Sequence, residues 1–137
     1  MPRPLPEFQA LGKKSVDSPA TLETFPSPGS VERVKMTSDE VTAMCPVTGQ
    51  PDLYTVDIDY RPGERCIESK SLKLYLQSFR NEGVFCEDLA DTILRDVAHA
   101  ASPVDCTVTV VQKARGGISI QATARLSPLD TATRDDD

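Results

Sequence analysis

The period of the hydrophobic pattern changes twice along this chain, and the order of those changes restricts the fold more than any other feature. Residues 53–60 read Leu-Tyr-Thr-Val-Asp-Ile-Asp-Tyr, with Tyr54, Val56, Ile58 and Tyr60 on one face and acids at 57 and 59 on the other. That two-residue repeat is the pattern of a half-buried strand. Arg61-Pro62-Gly63-Glu64 then reads as a turn. From Glu68 the repeat lengthens, with Leu72, Leu76 and Phe79 at helical spacing and Asn81-Glu82-Gly83 as a stop. A second helix is expected from about Glu87 to Ala101, with Leu89, Ile93 and Val97 on one stripe, ended by Ser102-Pro103. Alternation returns in 106–112 and 118–124, on either side of Arg115-Gly116-Gly117. Val31 to Thr42 reads as a first strand on its β-branched residues, although its alternation is weak. The order is β-β-α-α-β-β, which predicts an α+β fold with helices packed on one face of an antiparallel sheet.

Four strands and two helices make a thin sheet with two free edges, which proteins rarely leave unprotected. Pairing of those edges between subunits is expected, with a binding site shared between chains. At 137 residues the chain fits one domain. With no Trp and 5% aromatic residues, its core must be built mainly from Val, Ile, Leu and Ala. Six of eleven prolines fall in the first 28 residues, so 1–30 reads as a Pro/Ser-rich arm, 31–127 as the ordered domain and 128–137 as a flexible acidic tail.

A net charge of −6 and a pI near 4.8 argue against a nonspecific nucleic-acid surface. The cluster of Lys70, Lys73 and Arg80 still offers a local anion site. No apolar run is long enough to span a membrane, and the N-terminus lacks a secretory signal, so a cytoplasmic location is expected. The four cysteines form no Cys-x-x-Cys pair and are expected to be free thiols. Without closely spaced ligand pairs no metal site is expected. Cys66 and Cys106 read as small hydrophobes, and His99 as a helix C-terminal residue.

Two segments carry chemistry. Cys45-Pro46-Val47-Thr48-Gly49-Gln50-Pro51-Asp52 sets a thiol and a carboxylate at the ends of one compact loop. Taken alone it reads more readily as a turn, shaped by Gly49 and Pro51 around a buried thiol. Glu68-Ser69-Lys70-Ser71-Leu72-Lys73-Leu74-Tyr75 places two lysines three apart on a helix. By charge alone that is a solvated face. No Gly-x-Gly-x-x-Gly is present, so a Rossmann pyrophosphate turn is absent.

These segments, with Ser78-Phe79-Arg80-Asn81, Phe85-Cys86-Glu87-Asp88, Arg115-Gly116-Gly117-Ile118 and the upstream Leu22-Glu23-Thr24-Phe25-Pro26, resemble the NADPH-dependent 7-cyano-7-deazaguanine reductases, the QueF family. The likeness runs in order from about Leu22 to Ile120. It implies the tunnelling fold, whose β-β-α-α-β-β unit agrees with the order read above, and a single-unit subtype that assembles from pentameric rings into a decamer. It implies reduction of the nitrile of 7-cyano-7-deazaguanine (preQ0) to the aminomethyl product (preQ1) in tRNA queuosine biosynthesis, consuming two NADPH.

By the same resemblance Cys45 is the nucleophile that forms a thioimide, which a hydride can reduce. Asp52 is the general acid, and must carry a proton near neutral pH, a state that desolvation favours. Glu87 is the purine anchor, since a carboxylate can accept from both N1–H and the exocyclic amine. Ile67, Glu68, Ser69 and Cys86 complete the substrate site, and Lys70, Lys73 and Arg115 contact NADPH. Outside the resemblance, Glu87 is equally a favoured acid in a helix's first turn.

One departure stands out. The family pattern has Phe-His-Glu where this chain has Phe85-Cys86-Glu87. A thiol can fill the space of the imidazole but cannot replace a cationic donor, so either proton delivery rests more heavily on Asp52 or the reaction differs. The extra thiol also prompts the expectation of a protective Cys45–Cys86 disulfide under oxidation. Three rival readings carry less weight. An amidinotransferase acting on the same nitrile in tRNA would need no NADPH, a zinc-dependent pterin enzyme would need absent ligands, and a binding module would not need both Cys45 and Asp52.

Overall fold

The computed structural model describes residues 21–127. In chain order the elements are β1 (Thr24–Pro26), β2 (Val34–Met44), β3 (Pro51–Arg61), β4 (Arg65–Ile67), α1 (Ser69–Gln77), a 3-10 turn (Ser78–Asn81), α2 (Cys86–Ala101), β5 (Asp105–Arg115) and β6 (Ile118–Leu126). Strands β2, β3, β5 and β6 form one antiparallel sheet in the order β2-β3-β5-β6, and β1 pairs with β4 in a separate ribbon. The α+β order read from the sequence is observed, with β1 and β4 added to it.

The face of β3 that carries Tyr54, Val56, Ile58 and Tyr60 is fully buried, as are Cys106, Val108 and Val110 of β5. Leu89, Ile93 and Val97 of α2 pack onto this face, and α1 joins the same core through Leu72, Tyr75 and Leu76. Across the sheet, Asp57 and Asp59 stay partly exposed. There Arg33 bridges Asp59 and Asp105 at 2.9 and 3.0 Å.

The weak alternation of the first strand has a structural cause. Its pairing with β3 shifts between Ser38 and Val41, so two residues of β2, Asp39 and Glu40, stand opposite one of β3, Thr55. This bulge moves the inward phase from even to odd numbers, leaving Val41 and Ala43 buried where a continuous repeat would point them outward.

The arm expected over 1–30 falls outside the described residues as far as residue 20. Leu22 is buried, Thr24 pairs with Ile67, and the Glu68 N–H donates to the Glu23 carbonyl at 2.8 Å. The strand is three residues long and ends in Pro26, which an edge position tolerates, and so short a run among prolines carries no readable period. The acidic tail 128–137 lies outside the described residues.

Helix α2 ends at Ser102, whose φ of 45° is left-handed, with its N–H bonded to the Ala98 carbonyl. Gly63, in the turn after β3, packs against that end. A Cβ there would sit 2.9 Å from the Ser102 carbonyl oxygen. No helix among the described residues is long and apolar enough to cross a membrane.

Candidate active site

Cys45 stands one residue beyond β2. The Met44 N–H donates to the Glu82 carbonyl at 2.8 Å, and the Val84 N–H donates back to the Met44 carbonyl at 3.1 Å. These bonds run the approach to α2 alongside the end of β2, so Cys45 and the Phe85-Cys86-Glu87 segment follow from adjacent stretches of backbone. The loop then closes on itself, with Cys45 N–H donating to Gln50 O at 2.7 Å and Gly49 N–H to Cys45 O at 2.8 Å. Asp52 follows at once on the buried face of β3 and is 5% exposed.

Arg115 reaches this loop because of a second bulge. Residues 106, 108, 110 and 112 share the helix-covered side of β5, and strict alternation would turn residue 115 to the other side. Pairing with β6 shifts between Gln112 and Arg115, so Gln112 faces Ile120 and Arg115 faces Ile118. The extra residue restores Arg115 to the side of Asp52 and Tyr54. A two-residue turn follows immediately, with Gly116 at φ 67° and Gly117 at φ 84°. Both torsions are those of a tight hairpin that only glycine adopts readily.

From there the Arg115 guanidinium donates to Gln50 Oε1 at 2.8 Å and to Thr48 Oγ1 at 3.3 Å. Its Nε lies 3.0 Å from Asp52 Oδ1. That distance is an ion pair's, but the alignment is not a hydrogen bond's, and Asp52 Oδ1 remains a buried oxygen without a hydrogen-bond donor.

The same contacts act on Cys45. Its thiol is brought down from 9.0 to about 7, first by the hydrogen bond from the Thr48 hydroxyl, then by the main-chain N–H groups of Thr48 and Val47, with Arg115 adding to them. Partial burial opposes the shift. Each of these groups stabilises the thiolate over the thiol. Arg115 is in turn raised, chiefly by its hydrogen bond to Cys45.

Cys86 opens α2 and is 1% exposed, with its sulfur 3.6 Å from the Val110 carbonyl and 3.9 Å from that of Ile120. Burial, then Glu87, pushes this thiol up, so it is the opposite of Cys45 in character. All four cysteines are free thiols. Glu87 is exposed in the first turn of α2, where the helix dipole favours an acid.

The remaining expected residues sit on the other segment. Ile67 is buried and its N–H donates to the Tyr60 hydroxyl at 2.8 Å. The Glu68 side chain caps α1, accepting from Lys70 N–H at 2.8 Å and Ser71 N–H at 2.7 Å. Burial opposes the charge of Glu68, but these bonds outweigh it and hold the carboxyl below its usual range. Ser69, Lys70 and Lys73 are exposed. Among the described residues, the hydrogen bonds and ion pairs of the 45–52 loop run to Arg115 rather than to 67–73. The expected site residues therefore fall into two groups, Cys45, Asp52, Cys86, Glu87 and Arg115 in one and Ile67 to Lys73 in the other.

Three further residues beside the first group were not singled out in the sequence. Thr48 and Gln50 lie inside the motif, and their roles depend on where Arg115 comes to rest. Tyr54 was read as core, and it is core, at 0% exposure. Among the described residues, however, its hydroxyl has no hydrogen-bond partner. A phenol two residues from a buried acid, on the same face of one strand, was the signal available.

A family model described as QueF-like protein matches residues 51–129. A protein named NADPH-dependent 7-cyano-7-deazaguanine reductase from Frankia casuarinae is 48% identical over 114 residues, covering 83% of this chain and 91% of that one. A protein of the same name from Syntrophus aciditrophicus is 46% identical over 125 residues, covering 90% and 89%. Among solved structures, the apo crystal structure of the archaeosine synthase QueF-Like superposes with a TM-score of 0.67 at 24% identity, over 72% of this chain and 96% of that one. At that identity the likeness concerns the fold alone.

Proposed function

The chain belongs to the QueF-like family, and from that premise we propose that it is an NADPH-dependent reductase converting the nitrile of 7-cyano-7-deazaguanine to a primary amine in queuosine biosynthesis. The observation that carries this reading is the Cys45–Thr48–Arg115–Asp52 cluster. It offers a thiol drawn down to about 7 beside a buried carboxyl group. A nitrile carbon is a weak electrophile, so thiolate character at neutral pH is what the first step needs.

In that step the Cys45 sulfur adds to the nitrile carbon, a C–S bond forms, one C–N π bond opens, and the nitrogen takes the proton of Asp52. NADPH, when bound, supplies a hydride for each of two reductions and is oxidised to NADP⁺. After the first, the C–S bond breaks and returns the thiolate, and after the second the nitrogen leaves as the amine. One further proton reaches the nitrogen from solvent by way of the same carboxyl group, making two hydrides and two protons in all.

The residues present suit the cofactor. Lys70 and Lys73 project from the exposed face of α1, and Arg115 stands at the mouth of the loop. Side-chain cations of this kind can hold phosphates without a glycine-rich turn. Glu87 is assigned to the guanine-like edge of the substrate, with Cys86 beside it and the backbone at Ile67, Glu68 and Ser69 completing the pocket. We assign the tunnelling fold and a ring assembly, a decamer of two pentamers, to residues 31–127. Two features support this. Strands β2 and β6 are the open edges of the four-stranded sheet, and the site residues fall into two groups that a neighbouring subunit would unite. Four free thiols suit the cytoplasm.

The amidinotransferase reading shares the nucleophile and differs in the acceptor, and NADPH decides between them. Following NADPH absorbance with 7-cyano-7-deazaguanine should show two equivalents consumed per amine formed. An unchanged absorbance with the nitrile consumed would move the function to a different acceptor.

A further inference from the structure

We propose that Tyr54 is a catalytic residue of the hydride step, its hydroxyl donating a hydrogen bond to the nitrogen derived from the nitrile, on the side opposite Asp52. The inference rests on the reductase reading above and adds to it a residue that neither the motif nor the family pattern supplied.

Among the described residues, two buried side-chain oxygens lack a hydrogen-bond partner, Asp52 Oδ1 and the Tyr54 hydroxyl. They are two residues apart on one strand and on the same face of it. Buried polar atoms without partners cost stability, and a Phe at position 54 would pack the same ring without that cost. One is a donor and the other an acceptor, yet they do not satisfy each other. An atom placed between them that accepts from the phenol and donates to the carboxylate satisfies both. Once sulfur has added and the proton of Asp52 has moved, the nitrogen has that character, with one lone pair and one N–H.

Position 86 explains why this chain needs such a donor. Where the family pattern has an imidazole, Cys86 turns its thiol to the Val110 and Ile120 carbonyls. It is thereby occupied by main chain rather than aimed at a ligand. Tyr54 lies in the next row of the sheet, paired to Gln112, which is paired to Ile120. The phenol is therefore the neighbouring group that can donate from that side.

Burial, then the charge of Asp52, raises the Tyr54 hydroxyl to about 12. It keeps its proton throughout turnover, so it polarises the C–N bond while no bond of its own forms or breaks. The proton that enters the nitrogen comes from Asp52, and the hydride adds to carbon.

The test is Tyr54→Phe, read in two stages. Mixing with 7-cyano-7-deazaguanine alone should give the Cys45 adduct by intact mass at close to the wild-type rate. Adding NADPH should then discharge it about 100- to 1000-fold more slowly, the loss typical of one donor to a developing charge. The KM for the nitrile should move little, and the melting temperature should hold or rise. A wild-type rate of discharge in Tyr54→Phe would overturn the proposal. So would slowed adduct formation matched by slowed discharge, which a structural role would give. A wild-type protein that forms no adduct would overturn the reductase reading along with it. If Tyr54→Phe fails to fold, fluorotyrosine-labelled wild-type protein decides. A Tyr54 fluorine signal that shifts on adduct formation supports the contact, and an unmoved one overturns it.

Discussion

Replacing Thr48 with Val should move the titration of Cys45 without removing its sulfur, and the crossing of two pH profiles would show it. The Thr48 hydroxyl is the largest of the groups that bring the thiol from 9.0 to about 7, ahead of the main-chain N–H groups and Arg115. Those others remain in Thr48→Val, so the variant's midpoint falls between the two values. Taking a rise of about one, the thiolate fraction at pH 7 falls from about one half to about one tenth, roughly fivefold. A more basic thiolate is also the better nucleophile, by about threefold per tenfold in basicity. The net loss at pH 7 is therefore about twofold, too small to be decisive alone. Above the variant's midpoint the order reverses, and Thr48→Val reacts about threefold faster than wild type.

Alkylation of Cys45 by iodoacetamide, followed by intact mass from about pH 5 to 10, reads both limbs. The other three cysteines are buried and contribute little. Thr48→Ser, which retains a hydroxyl, should restore the wild-type midpoint. A wild-type midpoint near 9, or coincident profiles for wild type and Thr48→Val, would refute the reasoning.

Other substitutions probe the frame and the acid. Glu68→Ala removes both cap bonds of α1 and should cost about 1 kcal/mol, a fall of several degrees in a thermal melt, with Glu68→Gln, which has one acceptor oxygen for the two N–H donors, falling between. Gly63→Ala drives a Cβ to 2.9 Å from the Ser102 carbonyl. A loss of about 1–3 kcal/mol in denaturant unfolding is expected, and an unchanged midpoint would mean the two turns part without cost. Asp52→Asn should lower kcat at least about 100-fold while leaving the fold intact by circular dichroism, and full activity would remove Asp52 as the acid.

Much of the fold was legible because residues 53–60, 72–79, 89–97 and 106–112 each keep one period for their full length. What escaped was set by pairing rather than by composition. The bulge at Ser38–Val41 broke the phase of β2, and β1 and β4 are three residues each, too short for a repeat. Within the site, Cys45, Asp52, Cys86, Glu87 and Arg115 do come together around adjacent backbone. Arg115 could not be placed there by counting, because its side of the strand depends on the second bulge. Tyr54 was hidden differently. Its ring fits the apolar face and the alternation explained it completely, so nothing in the pattern marked a hydroxyl without a partner. Among the described residues, the hydrogen bonds and ion pairs of the 45–52 loop do not run to Ile67 to Lys73, which spacing along the sequence could not reveal.

The most direct test of the central claim is the intact mass of the protein after mixing with 7-cyano-7-deazaguanine, before and after NADPH is added. The account predicts an increase equal to the full mass of the ligand in wild type and none in Cys45→Ala, discharged by NADPH with release of the amine. An adduct that persists in Cys45→Ala, or no adduct in a folded wild type that still consumes NADPH with the nitrile, would contradict it.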